Sequence, residues 1–143
     1  MMANRQRGFT LIEALVALVV LSIGLLGVAA LQLKALQSAH AGYQRAAASL
    51  AAQDAVERLW AGLTEDANNN YYCPEEDIVN DGGWHDAWGK FLPGLNGAPV
   101  GSPSADCVYE ITISWAESRF EDEGNPEFLY TARLLGTRLG GGL

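Results

Sequence analysis

One long stretch near the start of the chain is almost entirely apolar. It covers residues 9–31 and contains a single acidic residue, Glu13, close to its beginning. An α-helix rises ~1.5 Å per residue, so a helix of this length crosses a hydrocarbon layer about 30 Å thick. The hydrophobic pattern therefore predicts a membrane-spanning helix over residues 9–31.

The helical pattern continues past this apolar run. Residues 32–61 contain no proline and are rich in alanine, leucine, glutamine and arginine, which favour a helix. The sequence predicts one helix from about Phe9 to Trp60, with Gly62 as its stop and a polar, turn-like segment over residues 64–70. Residues 32–63 then continue the helix outside the membrane.

Two apolar stripes follow the outer part of this helix, each with helical spacing. The first contains Leu33, Leu36, Tyr43, Ala47 and Leu50, and the second contains Ala52, Val56, Leu59 and Leu63 with Trp60 beside them. Two interpretations are open. Either one stripe packs on the chain's own sheet and leaves the other for a neighbouring helix, or both belong to a single drifting stripe beneath one domain.

A tryptophan-bearing segment lies between the helix and the later part of the chain. We expect a short helix from Trp84 to Leu92, ended by Pro93. Its expected inward-facing residues are Trp84, Trp88, Phe91 and Leu92. Residues 75–77 and 80–83 favour loops, and residues 93–104, with several prolines and glycines, favour irregular chain.

The last part of the chain predicts a small sheet. Period-two alternation from Cys107 onward predicts one strand, and residues 127–135 predict a second. The expected inner faces are Tyr109, Ile111, Ile113 and Trp115 in the first strand and Phe128, Tyr130, Ala132 and Leu134 in the second. An antiparallel hairpin with an acidic loop over residues 117–126 is the simplest arrangement. A hairpin alone is marginal in water, so we expect it to pack on the helix around Val56 and Leu59, with room for a further short strand from upstream.

Charges at the start of the chain give the apolar helix a direction. Arg5 and Arg7 precede it with no acidic residue nearby, which by the positive-inside tendency keeps the N-terminus in the cytoplasm. Glu13 lies inside the apolar run, where an unpaired carboxylate costs on the order of 2 to 3 kcal/mol. Such a residue favours a partner of opposite charge.

The segment Gly8-Phe9-Thr10-Leu11-Ile12-Glu13, followed by a long apolar helix, resembles the class III signal of type IV prepilins and type II secretion pseudopilins. The continuation from Ala14 to Gly27, with Leu31-Gln32 after it, is similar to minor pilins of the type IV pilus modification (PilV-like) group. The resemblance is close over about the first 40 residues and loose over the rest.

This resemblance implies a defined processing and assembly pathway. Residues 1–8 are the leader, a prepilin peptidase cuts after Gly8 and methylates the amino group of Phe9, and Glu13 neutralises that amino group in the filament. Since Phe9 and Glu13 are four residues apart, we expect them to share a helix face, where amine and carboxylate offset one another.

The resemblance also implies a fold, a location and partners. The fold is α+β and type IV pilin-like, with a long N-terminal helix, membrane-spanning in its first half, packed on a small antiparallel sheet. The chain is then a single-pass protein of the bacterial inner membrane, with residues 64–143 as a small periplasmic domain that enters a pilus. Its partners are the prepilin peptidase, inner-membrane lipid, and other minor and major pilins that contact the N-terminal helix.

Other interpretations of the N-terminus stay open. The segment can be an uncleaved signal anchor, or a secretory peptide cut after Val28-Ala29-Ala30 that releases a domain starting at Leu31. The motif of a type II secretion pseudopilin is nearly the same. A membrane-tethered periplasmic enzyme or binding module is a further class, and it predicts that the sequence of the anchor is dispensable.

Cys73 and Cys107 both lie in the part expected outside the cytoplasm. An even cysteine count in an oxidising compartment favours one disulfide, with two free buried thiols as the alternative. The chain has neither a Cys-x-x-Cys motif nor a close cysteine and histidine pair, so we expect no zinc site.

The remaining composition indicates what the chain does not do. Acidic residues outnumber basic ones by 17 to 9, so direct binding of nucleic acid is not expected. His85 has no nucleophile motif around it, and no phosphate-binding loop is present. The cluster over residues 121–125 lacks the alternating oxygen ligands of a calcium loop. We therefore expect no catalytic residue, no cofactor and no metal, and a protein that is not an enzyme.

Overall fold

The computed structural model describes residues 8–81, 83–95, 97–104, 106–117 and 124–137. It divides the chain into two compact units, Met1–His40 and Ala41–Leu143. We call the first the N-terminal unit and the second the head. The expected boundaries at residues 8, 31 and 63 concern processing and membrane depth, and they stay predictions.

Helix α1 covers Leu11–Ala61, so the predicted long helix is confirmed. It begins two residues later than expected, where the carbonyl of Thr10 accepts bonds from the N–H groups of Glu13 (3.0 Å) and Ala14 (3.2 Å). The helix ends where expected, because Gly62 lies against the segment that follows. A Cβ on Gly62 would collide with the side chain of Ile78 and lie 3.1 Å from Cβ of Pro74.

Three short elements follow α1 that the sequence did not predict. Strands β1 (Thr64–Glu65) and β2 (Tyr71–Tyr72) pair antiparallel. Helix α2 (Asp77–Asn80) occupies part of the region expected to be loop. Polar, turn-prone composition concealed all three, because elements of two to four residues carry too little periodicity to be recognised.

The predicted helix at Trp84 is confirmed but shorter. Helix α3 covers Trp84–Trp88, with Gly89 at its end. Trp84 and Leu92 are fully buried and Trp88 is partly buried, as expected, whereas Phe91 is exposed. The expectation for Phe91 was wrong because the chain leaves the helical path before reaching it.

The predicted hairpin is confirmed. Strands β3 (Val108–Ser114) and β4 (Glu127–Arg133) pair antiparallel, from Val108 opposite Arg133 to Ser114 opposite Glu127. The inner face of β3 is buried as predicted, and it comprises Tyr109, Ile111 and Ile113, with Trp115 just beyond the strand. In β4, Ala132 is buried and Leu134 is buried just past the strand, but Tyr130 is 41% exposed.

A segment upstream joins the other edge of β3. Val100 forms an antiparallel bridge with Ile111. The N–H of Gly101 donates to the carbonyl of Glu110 (3.0 Å), and the N–H of Thr112 donates to that of Pro99 (2.8 Å). An isolated bridge therefore occupies the place that the sequence analysis left for a further short strand from upstream.

Within the head, α1 buries a face made almost entirely of small residues. The buried positions are Gln44, Ala47, Ala48, Ala51, Ala52, Ala55 and Leu59. They share one core with β3 and Trp84. The predicted stripes were partly wrong, since Ala47 belongs to the buried face while Tyr43 and Leu50 are exposed. The alanine face of α1 therefore forms one side of the core that it shares with β3 and Trp84.

Three tryptophans attach the rest of the head to this helix. The indole N–H of Trp84 donates to the carbonyl of Ala51 (3.0 Å), and that of Trp115 donates to Oε1 of Gln44 (3.2 Å). The indole N–H of Trp88 donates to Oδ2 of Asp54 (2.8 Å). Gln44, the buried polar side chain of this core, is thereby satisfied.

The predicted disulfide is present. Cys73 and Cys107 are joined, with their Cα atoms 5.4 Å apart. The end of the described chain lies beside them, because the N–H of Leu134 donates to the carbonyl of Cys107 (3.0 Å) and that of Cys73 donates to Thr137 (3.1 Å). The disulfide thus connects the chain after β2 to the start of β3. A long apolar helix followed by small antiparallel sheets is the α+β architecture that the sequence predicted.

Candidate assembly segment at the N-terminus

The segment Gly8-Phe9-Thr10 lies outside the helix and is exposed. An added Cβ on Gly8 would meet no atom within 4 Å. Exposed, non-helical backbone is what a peptidase needs at the bond it cuts. The geometry at Gly8 and Phe9 is therefore compatible with the processing site that the sequence predicts.

Glu13 lies in the first turn of α1 and is exposed. A carboxylate at this position is stabilised by the free N–H groups and the positive end of the helix dipole. Phe9 precedes the helix, so the shared helix face that we expected for Phe9 and Glu13 is absent from the structure. The cause is that α1 begins at Leu11, after Phe9.

A sequence signal for this start was present but overlooked. Thr10 and Glu13 have the spacing of a capping box, in which a threonine precedes the helix and a glutamate follows three residues later. Their backbone arrangement agrees, since the carbonyl of Thr10 accepts the first bonds of α1. The same glutamate can therefore define the helix start and remain exposed to a partner.

The large apolar side chains of α1 in the N-terminal unit are all exposed. They are Leu11, Ile12, Leu15, Val16, Leu18, Val19, Val20, Leu21, Ile23, Leu25, Leu26, Val28, Leu31, Leu33 and Leu36. By length and composition alone, α1 is able to cross a membrane. Its hydroxyl at Ser22 is satisfied internally, donating to the carbonyl of Leu18 (2.7 Å), as hydrocarbon surroundings require.

The helix also presents bare backbone at its glycines. A Cβ at Gly24 or at Gly27 would meet no atom of this chain within 4 Å. Small residues on an apolar helix let a second helix approach closely. The N-terminal unit thus offers both apolar side chains and sites of close approach to something outside the chain.

The head carries a smaller exposed apolar surface. Tyr43 and Leu50 of α1, with Trp88 and Phe91, line a shallow cleft together with Ala46 and Ala47. The sequence predicted a stripe with Tyr43 and Leu50 in it and left open whether that stripe is buried or free, and it placed Trp88 and Phe91 inside the core. Only the tertiary fold brings α3 beside that stripe.

A polar cluster around Asp66 shapes the β1–β2 turn. The side chain and the N–H of Asn70, the N–H of Asn68 and the hydroxyl of Tyr72 donate to the Asp66 carboxylate at 2.8 to 3.0 Å. These bonds, those of Asn70 foremost, lower the pKa of Asp66 from 3.8 to about 2. The hydrogen bond to Asp66 raises the pKa of the Tyr72 hydroxyl. Sequence analysis did not find this cluster, which stabilises a turn.

No group of three or more histidine, cysteine or carboxylate side chains among the described residues is placed to hold a metal ion. His85 packs edge-on against Trp84, with ring centroids 5.4 Å apart. The rejected calcium candidate over residues 121–125 lies mostly outside the described residues, which include only Gly124 and Asn125 of it.

Comparison with known proteins identifies the N-terminal segment. Residues 3–29 match the family model of the prokaryotic N-terminal methylation motif. No curated protein and no solved structure matches the chain. The match covers Gly8, Phe9, Glu13 and the first part of α1. Together with the exposed apolar helix and the α+β head, this motif supports a type IV pilin-like or pseudopilin-like protein that is processed by a prepilin peptidase and assembles with pilins.

Proposed function

We propose that this protein is a minor pilin of a type IV pilus, a structural subunit that takes part in pilus assembly or its initiation. One observation carries the proposal: the N-terminal methylation motif leads directly into a helix whose large apolar side chains within the N-terminal unit are all exposed. Apolar surface on this scale marks contact with a membrane or with other proteins. A subunit that moves from lipid into a filament core uses it for both.

Processing by the peptidase prepares the subunit to move from lipid into the filament core. The peptidase cuts after Gly8, removes Arg5 and Arg7 with the leader, and leaves a methylated amino group on Phe9. Glu13 then neutralises that amino group, on its own chain or on a neighbour. The position of Glu13, exposed in the first turn of α1, supports pairing with a neighbour.

Charge and cysteine chemistry support the proposed location. Arg5 and Arg7 favour a cytoplasmic N-terminus and a single crossing of the inner membrane. The Cys73–Cys107 disulfide supports a head in the periplasm, where disulfides form and persist. We further propose that the protein works by assembly rather than catalysis, and without a cofactor or direct nucleic-acid contact.

Intact mass and N-terminal analysis of protein taken from native membranes test the proposal. The expected product starts at Phe9 and carries one added methyl group. The variant Gly8→Leu should retain the leader, whereas the matched control Gly24→Leu, at an open position of the same helix, should be processed normally. A natural product that starts at Met1 or at Leu31 would contradict the proposal.

A second experiment separates insertion from assembly. Glu13→Ala should insert in the membrane and be cleaved, but it should be lost from sheared filaments, because the Phe9 amino group has no counter-charge. A Glu13→Ala protein that keeps full function would favour the membrane-tethered binding module or enzyme instead.

The type II secretion minor pseudopilin is the second candidate, since the same motif supports it. The fraction in which the processed chain is found distinguishes the two. Recovery in sheared surface filaments supports the pilus. A secretion defect on deletion, with surface filaments unchanged, supports the pseudopilin.

A further inference from the structure

Strand β4 forms one edge of its sheet. The sheet has two strands, and β3 receives the Val100 bridge on its other side. Beyond β4, Thr137 bridges Tyr72 of β2, but no described residue pairs with the outer edge of Glu127–Arg133 itself. A two-stranded sheet with one free edge is a template for a further strand. The question is which strand fits it.

The hydrogen-bonding pattern shows which backbone groups are free. Trp115 donates to the carbonyl of Pro126, and Leu134 donates to that of Cys107, so these residues form hydrogen-bonded pairs across the sheet. Such pairs recur at every second residue of an antiparallel ladder. Phe128, Tyr130 and Ala132 therefore direct their backbone groups toward β3. The residues with outward-directed backbone N–H and C=O groups are Glu127, Leu129, Thr131 and Arg133.

The outer edge has little of the protection that natural edge strands carry. The seven residues of β4 contain no proline and no lysine. Its apolar side chains are accessible, with Leu129 60% exposed and Tyr130 41% exposed. Within the described residues, neither Glu127 nor Arg133 takes part in an ion pair.

The sequence of β4 is complementary to itself. If two copies pair antiparallel with Tyr130 opposite Tyr130, then Glu127 of each copy lies opposite Arg133 of the other, and Leu129 lies opposite Thr131. These are the residues whose backbone groups point outward, so they form the hydrogen-bonded pairs of the new ladder. Two opposite-charge pairs form at the ends, and the two Tyr130 side chains meet at the symmetry axis.

We propose that the outer edge of β4 binds the same edge of a second copy of this chain, in an antiparallel pair centred on Tyr130. The occupant is a second copy because the register that satisfies the backbone groups also places both charges of each strand opposite their complements. This surface belongs to the head alone, so the inference is independent of the proposed function.

Engineered disulfides in the full chain test this register. In the proposed pair Tyr130 is a non-hydrogen-bonded position, with Cα atoms about 4.5 Å apart, which a disulfide can span. Tyr130→Cys should therefore form a disulfide-linked dimer in membranes or detergent micelles. The two native cysteines are already paired, so the new thiol is free to react.

Leu135→Cys is the matched control. Leu135 is 71% exposed, more than Tyr130, so random collisions would link it more readily. In the proposed register the two copies of residue 135 are roughly 30 Å apart. We expect the Tyr130→Cys dimer to exceed the Leu135→Cys dimer by about tenfold on non-reducing gels. Equal linking of both variants would overturn the proposal, as would Tyr130→Cys linking only to a protein of different mass.

Charge reversal in the Tyr130→Cys background tests the partner's identity. Glu127→Arg places two arginines opposite each other at both ends of the pair, and Arg133→Glu does the same with glutamates. Each should lower dimer formation about tenfold, and the double variant should restore it. Failure of the double variant to restore linking, while its tryptophan fluorescence matches that of the parent, would show that the strands do not pair in this way.

Discussion

In the N-terminal unit, Met1–His40, α1 exposes its leucines, valines and isoleucines, whereas in the head the same helix buries a face of alanines. Along α1, the large apolar side chains of the N-terminal unit are thus exposed, while the buried face in the head consists mostly of alanines, with Leu59 at its end. The chain itself supplies the partner for the alanine face, since these alanines share one core with β3 and the buried Trp84 and Trp115. For the leucine-rich part the partner comes from outside the chain. The exposed leucine-rich part of α1 indicates assembly. The buried alanine face indicates packing within the chain.

All four tryptophans, at positions 60, 84, 88 and 115, lie in the head. Their fluorescence therefore reports on the head alone in the full chain, whatever surrounds the N-terminal unit. This property makes the comparison testable with variants placed in one unit or in the other.

The largest effect is expected from Trp84→Ala. This residue is fully buried and also donates to the carbonyl of Ala51, so its removal should lower the free energy of unfolding of the head by about 3 to 5 kcal/mol. Denaturant unfolding of the full chain in detergent, followed by fluorescence of the remaining tryptophans, measures it. Trp60→Ala, at an exposed position, is the control and should change little. Equal losses in the two variants would mean that the core is not organised around Trp84.

Removal of the disulfide comes next. The double variant Cys73→Ser with Cys107→Ser should destabilise the head by about 2 to 4 kcal/mol, because the unfolded chain gains conformational freedom. The denaturant midpoint of the fluorescence signal should fall, while membrane insertion stays unchanged. A head whose midpoint is the same after reduction would contradict this expectation.

A third pair of variants makes the same substitution in both units. Ala52→Leu adds volume to the fully buried face of α1 and should destabilise the head by about 1 to 3 kcal/mol through overpacking. Ala30→Leu lies in the exposed apolar part and should leave unfolding of the head unaltered. If Ala52→Leu were neutral, close packing of the sheet on the alanine face would be disproved.

The smallest expected effect concerns pH. Because the folded-state pKa of Asp66 lies at about 2, below its usual 3.8, the hydrogen bonds to its carboxylate stabilise the β1–β2 turn above about pH 4 and are lost as the pH falls toward 2. Carbon-13 NMR titration of the Asp66 carboxyl measures the midpoint. Asn70→Ala should raise this midpoint most, and Tyr72→Phe less. A midpoint near 3.8 in the parent would refute the prediction.

Much of the fold was predictable because long elements repeat their signals. The helix of 51 residues carries many turns of consistent composition, and the alternation in β3 spans a whole strand. Short elements failed for the opposite reason. Strands of two residues and a helix of four have no period to detect. Their positions depend on contacts with distant parts of the chain: Tyr72 of β2 bridges Thr137, and Asn80 of α2 bonds the backbone of Val100.

The candidate site divides in a similar way. Gly8, Phe9 and Glu13 were identified from local sequence, since a protease and a helix start both recognise contiguous residues. The start of α1 at Leu11 also has a local signal, since Thr10 and Glu13 have the spacing of a capping box. The positions of Tyr43 and Phe91 on one exposed cleft required two elements to meet, which no local pattern specifies.

The sequence by itself determined the long helix, the motif at its start, the hairpin and the pairing of Cys73 with Cys107. These depend on local composition or on the presence of only two cysteines. The tertiary structure alone decided which helix face is buried, because alanine is compatible with either environment and only the approach of the sheet selects it. It also decided that the outer edge of β4 is open within the described chain. Whether a strand lies at an edge depends on which other strands pair with it, and local sequence does not specify that.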